Sequence, residues 1–266
     1  HRYKNILTQK RGKIPERINM TFNGNVYNFI YEKGDHEEQL YMLYDSQNKM
    51  RCIMIMIDSN EKMGTIENLS SDYRETCHFH FQPHKTSLAR SFMMCPKGGS
   101  NLLEIAINFL KENKKRFDIN RIVLTDRATK ACFGVSIIFA DMYTLLYGTT
   151  WYMKHGFMPY DSLCDKLNKK HLATANKNKK IMDNAKLSDL PRLEEYIKKY
   201  GEKFDVDALV NKIKKIQNHK VMLFMRWLLR SYNEDSCILF YNIYKKIMDD
   251  LGIQSLYGKS YFMEIW

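Results

Sequence analysis

Between Val26 and Ser71 the chain alternates short apolar runs with polar breaks. VYNFIYEK, QLYMLYD, RCIMIMIDS and GTIENLSS each have the length and the β-branched or aromatic content of a strand. DSQNK (Asp45 to Lys49) lies between the second and third and reads as a hairpin connection. SLARSFMMC (Ser87 to Cys95) is a further strand candidate. The period then changes. Leu102, Leu103, Ile105, Ala106, Phe109 and Leu110 recur at helical spacing, and INRIVLTD (Ile119 to Asp126) returns as a buried strand.

From Lys166 to about Asp250 the texture is helical and rich in lysine. LSDLPRLEEYIKKYG is expected to open with Ser188 or Asp189 as cap, to carry Pro191 in its first turn and to close at Gly201. DVDALVNKIKKIQ, VMLFMRWLLR and EDSCILFYNIYKKIMDD keep the same period. GKSYFMEIW (Gly258 to Trp266) reverts to strand character. A strand after a helical block predicts an insertion into a sheet domain rather than a separate C-terminal domain.

Composition narrows the class. The 266 residues are 44% hydrophobic and 13% aromatic, too rich in core-forming side chains for a disordered chain. Mean hydropathy is −0.48. The most apolar window, VMLFMRWLL, is too short to cross a bilayer and contains Arg226, so it reads as a buried helix. A net charge of +12 favours anionic partners such as nucleic acid, phosphorylated cofactors or acidic proteins. Six dispersed cysteines without a CxxC pair point to a reducing, intracellular compartment.

Two segments carry candidate chemistry. In CPKGGSNLLEIAINFLKEN a glycine turn leads into a helix, whose N-terminal amides and dipole attract an anion. Gly98 and Gly99 allow close backbone approach, Lys97 adds positive charge, and Ser100 or Asn101 suits an N-cap. In GTTWYMKHGFMPYD, Gly156 is placed to end a helix and Phe157 to begin a strand. A third segment, CHFHFQPH, puts His78 and His80 on one strand face with Cys77 and His84 nearby, but no second ligand pair completes a set and no metal is expected.

Taken in order, strand, glycine turn, LLE-type helix, strand, and a helix ending in YMKHGF resemble the GNAT superfamily of N-acetyltransferases. PKGGSNLL is similar to the family's Q/R-x-x-G-x-G/A turn with one residue fewer, and YMKHGF is similar to its Y-x-K-x-G-F pattern. The GTTWYMKHGF segment also resembles acetyltransferase-like proteins of giant DNA viruses. The resemblance implies an α/β (α+β) fold: a GNAT-like mixed twisted sheet flanked by helices, with a helical insertion before the last strand. Residues 1–165 would form the GNAT-like domain, completed by 255–266 as closing strand, and residues 166–254 the basic insertion. It implies acetyl-CoA as cofactor, held around Met93, Cys95, Lys97, Gly98, Gly99, Ser100 and Asn101, and transfer to an amine in a ternary complex. Tyr152 carries over the general acid, and Glu67 and Asp126 are the candidate bases. Asp126 stands where many members place an asparagine beside the pantetheine arm. The alternative expectation is a catalytically degenerate GNAT-fold scaffold, a viral structural or host-interaction protein, that binds a protein or nucleic-acid partner through the basic helical region.

Overall fold

The computed structural model describes residues 17–33, 39–44, 51–58, 61–69, 99–132, 135–201, 205–231 and 237–265. They form a mixed α/β protein whose strands and helices divide between two compact units, with the division after Asn120.

The first unit is an antiparallel meander backed by one helix. Strands β1 (Arg17–Phe22), β2 (Asn25–Lys33), β3 (Gln39–Tyr44), β4 (Arg51–Asp58) and β5 (Met63–Leu69) pair each with the next. Alternation decides the buried face. In β4, Ile53, Ile55 and Ile57 are buried while Met54 and Met56 are only partly covered. Helix α1 (Gly99–Phe117) lays Leu102, Leu103, Ile105, Ala106, Phe109 and Leu110 against the strands, as its apolar spacing predicts. Phe29 and Phe109 stack with ring centroids 3.9 Å apart at the centre of this core. The hairpin connection DSQNK, the strand candidate SLARSFMMC and the CHFHFQPH segment lie outside the described residues.

The second unit holds a small sheet, a hairpin and a helical block. Strands β6 (Arg121–Thr125), β9 (Met158–Asp161) and β10 (Lys166–Leu167) precede the helices, and β11 (Ser260–Glu264) follows them. The last strand does not add to an edge. It pairs antiparallel with β6 on one side and with β9 on the other, so that Tyr261 faces Leu124 and Pro159 at once. The stretch after Asp126 forms the hairpin of β7 (Thr129–Cys132) and β8 (Val135–Ile138), then α2 (Phe139–Tyr147) and α3 (Trp151–Lys154).

Helices α4 (Lys169–Asn184), α5 (Leu193–Tyr200), α6 (Val206–Lys215), α7 (Val221–Ser231) and α8 (Cys237–Leu251) fill the lysine-rich region. They share one apolar core with α2, built around Met142, Leu145, Leu146, Met182, Ile197, Phe224, Leu228, Ile243 and Tyr244. Asp205 caps α6 by accepting from Ala208 N–H at 2.9 Å. The start of α5 differs from expectation. Ser188 and Asp189 sit in a separate 3-10 turn, Leu187–Asp189, and Asp189 accepts from Lys186 N–H there, so α5 begins only at Leu193, after Pro191. Proline restricts the residue before it away from the helical region, which separates the two turns.

Gly201 does end α5, but not through a left-handed conformation, since its φ is −98°. Space is what requires glycine: a Cβ there would lie 2.5 Å from the Ile197 carbonyl oxygen and 2.8 Å from Val206 Cγ2. Backbone cannot yield as a flexible side chain can. Gly201→Ala is therefore expected to lower unfolding stability by about 1–3 kcal/mol, measured by urea denaturation.

Candidate functional site

Strand β6 is apolar through Ile122, Val123 and Leu124, all buried, and then places Asp126 just past its end. The strand ladder continues through this residue. Asp126 N–H donates to the Lys259 carbonyl at 2.9 Å, and Gly258 N–H donates to the Asp126 carbonyl at 2.7 Å. Gly258 has φ of +72°, a conformation that glycine adopts without strain, and so makes the turn that delivers β11 to this position.

The Asp126 side chain is almost wholly buried, at 1% exposure. Its one described hydrogen bond is long, from Ala128 N–H to Oδ1 at 3.4 Å. Burial pushes its pKa up to about 7, the Ala128 amide opposes that rise, and the nearby Asp141 adds to it. Asp141, from the first turn of α2, is buried too but better served. It accepts from Ser255 Oγ and pairs with Lys245 Nζ at 3.3 Å. The two carboxylates thus differ in kind: one is held by a cation, the other is left with a single weak donor.

Tyr261 of β11 lies beside Asp126. Its ring is fully buried, and its hydroxyl has no hydrogen-bond partner among the described residues. Burial raises its pKa, the neighbouring Thr150 hydroxyl opposes this, and Asp126 adds to it. Thr150 Oγ1 also caps α3, where it accepts from Met153 N–H at 3.3 Å.

Tyr152 reaches the same place from α3. Its carbonyl accepts from both His155 N–H (3.0 Å) and Phe157 N–H (3.1 Å), a helix end that requires Gly156 at φ +88°. The ring is buried, 5.8 Å from Tyr261 and edge-on to Phe157 at 6.1 Å. Tyr152 and Asp126 therefore both lie close to Tyr261. Sequence reading named the first two and missed the third. The one signal for Tyr261 was the strand pattern of SYFMEIW at the chain's end.

The aromatic residues Tyr143, Tyr147 and Trp151 form a half-buried row, with ring centroids 5.2 Å and 6.4 Å apart along it. Two cations lie over Tyr147, Lys154 Nζ at 4.6 Å and Arg226 at 4.8 Å. Arg226 also donates through Nε to the Leu146 carbonyl at 2.7 Å, which fixes its guanidinium over the Tyr147 end of the row.

The remaining candidates belong to the first unit. Glu67 is exposed on β5. Gly99, Ser100 and Asn101 open the 19-residue helix α1, whose first turn carries no acidic side chain. A carboxylate there would neutralise the positive end of the helix dipole. Met93, Cys95, Lys97 and Gly98 lie outside the described residues. Among the described residues no group of three or more His, Cys, Asp or Glu converges as a metal site, and no helix is long and apolar enough to cross a membrane. No family model, no curated protein and no solved structure matches the chain.

Proposed function

We propose that the protein is a GNAT-type N-acetyltransferase that moves an acetyl group from acetyl-CoA to an amine, with Asp126 as general base and Tyr152 as general acid. The observation that carries this reading is the convergence of Asp126 and Tyr152 on the closing strand at Tyr261. It is supported by the order of elements: β6, then a helix ending at Gly156, then β9, with the final strand paired between β6 and β9.

The chemistry asks for two proton positions. An amine is protonated at neutral pH and must lose a proton before it can attack a carbonyl. Acetyl-CoA, when bound, supplies the activated acyl thioester. The chain supplies a carboxylate at Asp126 that, with a pKa of about 7, is ionised in about half the molecules at neutral pH and still basic enough to take a proton. It also supplies a phenol at Tyr152 that can hold and return a proton at its Oη. Burial of both excludes water and strengthens the interactions of charges that form there. Glu67 is exposed on β5, so the base role falls to the carboxylate that burial tunes.

Acetyl-CoA is expected to raise the thermal midpoint of the full chain, with about 2.7 kcal/mol of stabilisation at a hundred times its Kd. Tyr152→Phe should then lower kcat by about a hundredfold or more with acetyl-CoA affinity unchanged. No stabilisation at millimolar acetyl-CoA would remove the enzyme reading and leave the scaffold, and an unchanged kcat would strip Tyr152 of its role.

A further inference from the structure

The charge on α4 is distributed unlike that on α5. Helix α5 balances Lys198 and Lys199 with Glu194 and Glu195, whereas α4 carries Lys169, Lys170, Lys177, Lys179 and Lys180 against Asp183 alone. Asp183 is taken by Lys179 at 2.7 Å. The other four lysines share a face. At about 100° per residue, Lys169, Lys170, Lys177 and Lys180 fall within an arc of about 100°. Ala173 and Asn184 occupy the same arc, and all six residues are exposed. The opposite side of the helix is buried through Ala175, Asn178 and Met182.

Two properties of this face bear on what it binds. First, it is a like-charge surface: Lys177 and Lys180 are neighbours at i,i+3, no acid lies in the arc, and among the described residues no ion pair engages the four ammonium groups. A face kept only for solubility mixes both signs. Second, it has no aromatic or large apolar side chain, and the helix's apolar side is already inside the core. A helix that lies on a bilayer inserts an apolar face, and this one has none to insert.

We propose that the exposed lysine face of α4 binds the phosphodiester backbone of nucleic acid without regard to sequence. Lysine is a point charge on a flexible stem and suits phosphate contact, whereas base reading draws on arginine forks and planar side chains that the face lacks. Along the axis, Lys170 and Lys177 are about 10 Å apart and Lys177 and Lys180 about 4.5 Å, and their flexible stems allow each to reach a phosphate without a fixed register. This surface is independent of the acetyl-transfer site.

The test is fluorescence anisotropy of the full chain with a labelled random-sequence duplex, from 50 to 200 mM salt. With four phosphate contacts the affinity should fall by roughly a hundredfold over that range, and the triple variant Lys170→Gln, Lys177→Gln, Lys180→Gln should reduce the log–log salt slope by about 2.7. The corresponding triple arginine variant should keep the wild-type slope, which separates charge from any effect on folding. No binding at 50 mM salt, or a glutamine variant with the wild-type slope, would overturn the proposal. Tighter binding to phosphatidylserine vesicles than to the duplex would overturn it in favour of a membrane surface.

Discussion

At pH 8 the Asp126→Asn protein is expected to be more stable than the wild type by up to about 4 kcal/mol, while at pH 4 the two should be nearly equal. The sign follows from the direction of the shift. The Asp126 carboxyl titrates at its ordinary 3.8 in the unfolded chain and near 7 in the folded protein, because burial disfavours the charged form. Folding therefore takes up a proton throughout the interval between those values. The stabilisation that comes with the protonated form is complete below pH 4 and is lost as pH rises through 7. Each pH unit in that window is worth about 1.4 kcal/mol. Asparagine has nearly the same shape and does not ionise, so it escapes the loss. Urea unfolding of both proteins at intervals from pH 4 to 8 measures the difference, and parallel profiles would contradict it.

The same substitution should cost activity. With Asp126 as base, kcat for acetyl transfer should fall by about 10²–10⁴, and the rise of kcat/KM with pH near 7 should disappear. A site that is less stable than it need be at working pH, and loses turnover when relieved, shows the trade between stability and activity that tuned carboxylates impose. If Asp126→Asn stabilises at pH 8 and leaves turnover intact, the buried carboxylate has no part in the reaction.

The elements that were legible in the sequence are those whose pattern is local. VYNFIYEK and RCIMIMIDS announce β2 and β4 because β-branched and aromatic residues alternate there, and LLEIAINFL announces α1 by its period. RINMTF was passed over as β1. Its alternation is real, with Ile18 and Met20 buried between exposed Arg17, Asn19 and Thr21, but two apolar positions are a weak signal. The β7–β8 hairpin was hidden in a stretch that looked only like extra length before α2. The beginning of α5 was misjudged because Asp189, a good cap by type, caps a separate 3-10 turn.

At the candidate site, Asp126 and Tyr152 could be named from motif position, but their surroundings could not be read. What makes Asp126 unusual is the company of Tyr261, Asp141 and the Gly258 turn, and each comes from a remote part of the chain. Only the pairing of β11 between β6 and β9 brings them together, and strand order is a long-range property that periodicity does not encode. A strand after a helical block predicted that the chain returns to a sheet. It did not say that the returning tyrosine would lie close to both residues already singled out.

The largest expected effect on stability alone is in the first unit, where Phe109→Ala should cost about 3–5 kcal/mol. Phe109 is fully buried, stacked on Phe29 at 3.9 Å, and within ring contact of Tyr41 and Phe117 at 5.6 Å and 5.8 Å. It is the point at which α1 locks onto the strands, so truncation removes transfer energy and leaves a cavity among rings that cannot close it. Phe109→Leu, which keeps much of the volume, should cost clearly less. A second readout is local to this core. Burial holds the Tyr41 phenol up at about 12, with Tyr31 adding to the rise. Opening the space beside it admits water and should bring that value down in a spectrophotometric titration, while Gly201→Ala, in the other unit, should leave it unchanged. Because the chain has two compact units, unfolding should be followed by both probes. A loss below 1 kcal/mol with Tyr41 unmoved would mean that the strands hold together without the helix.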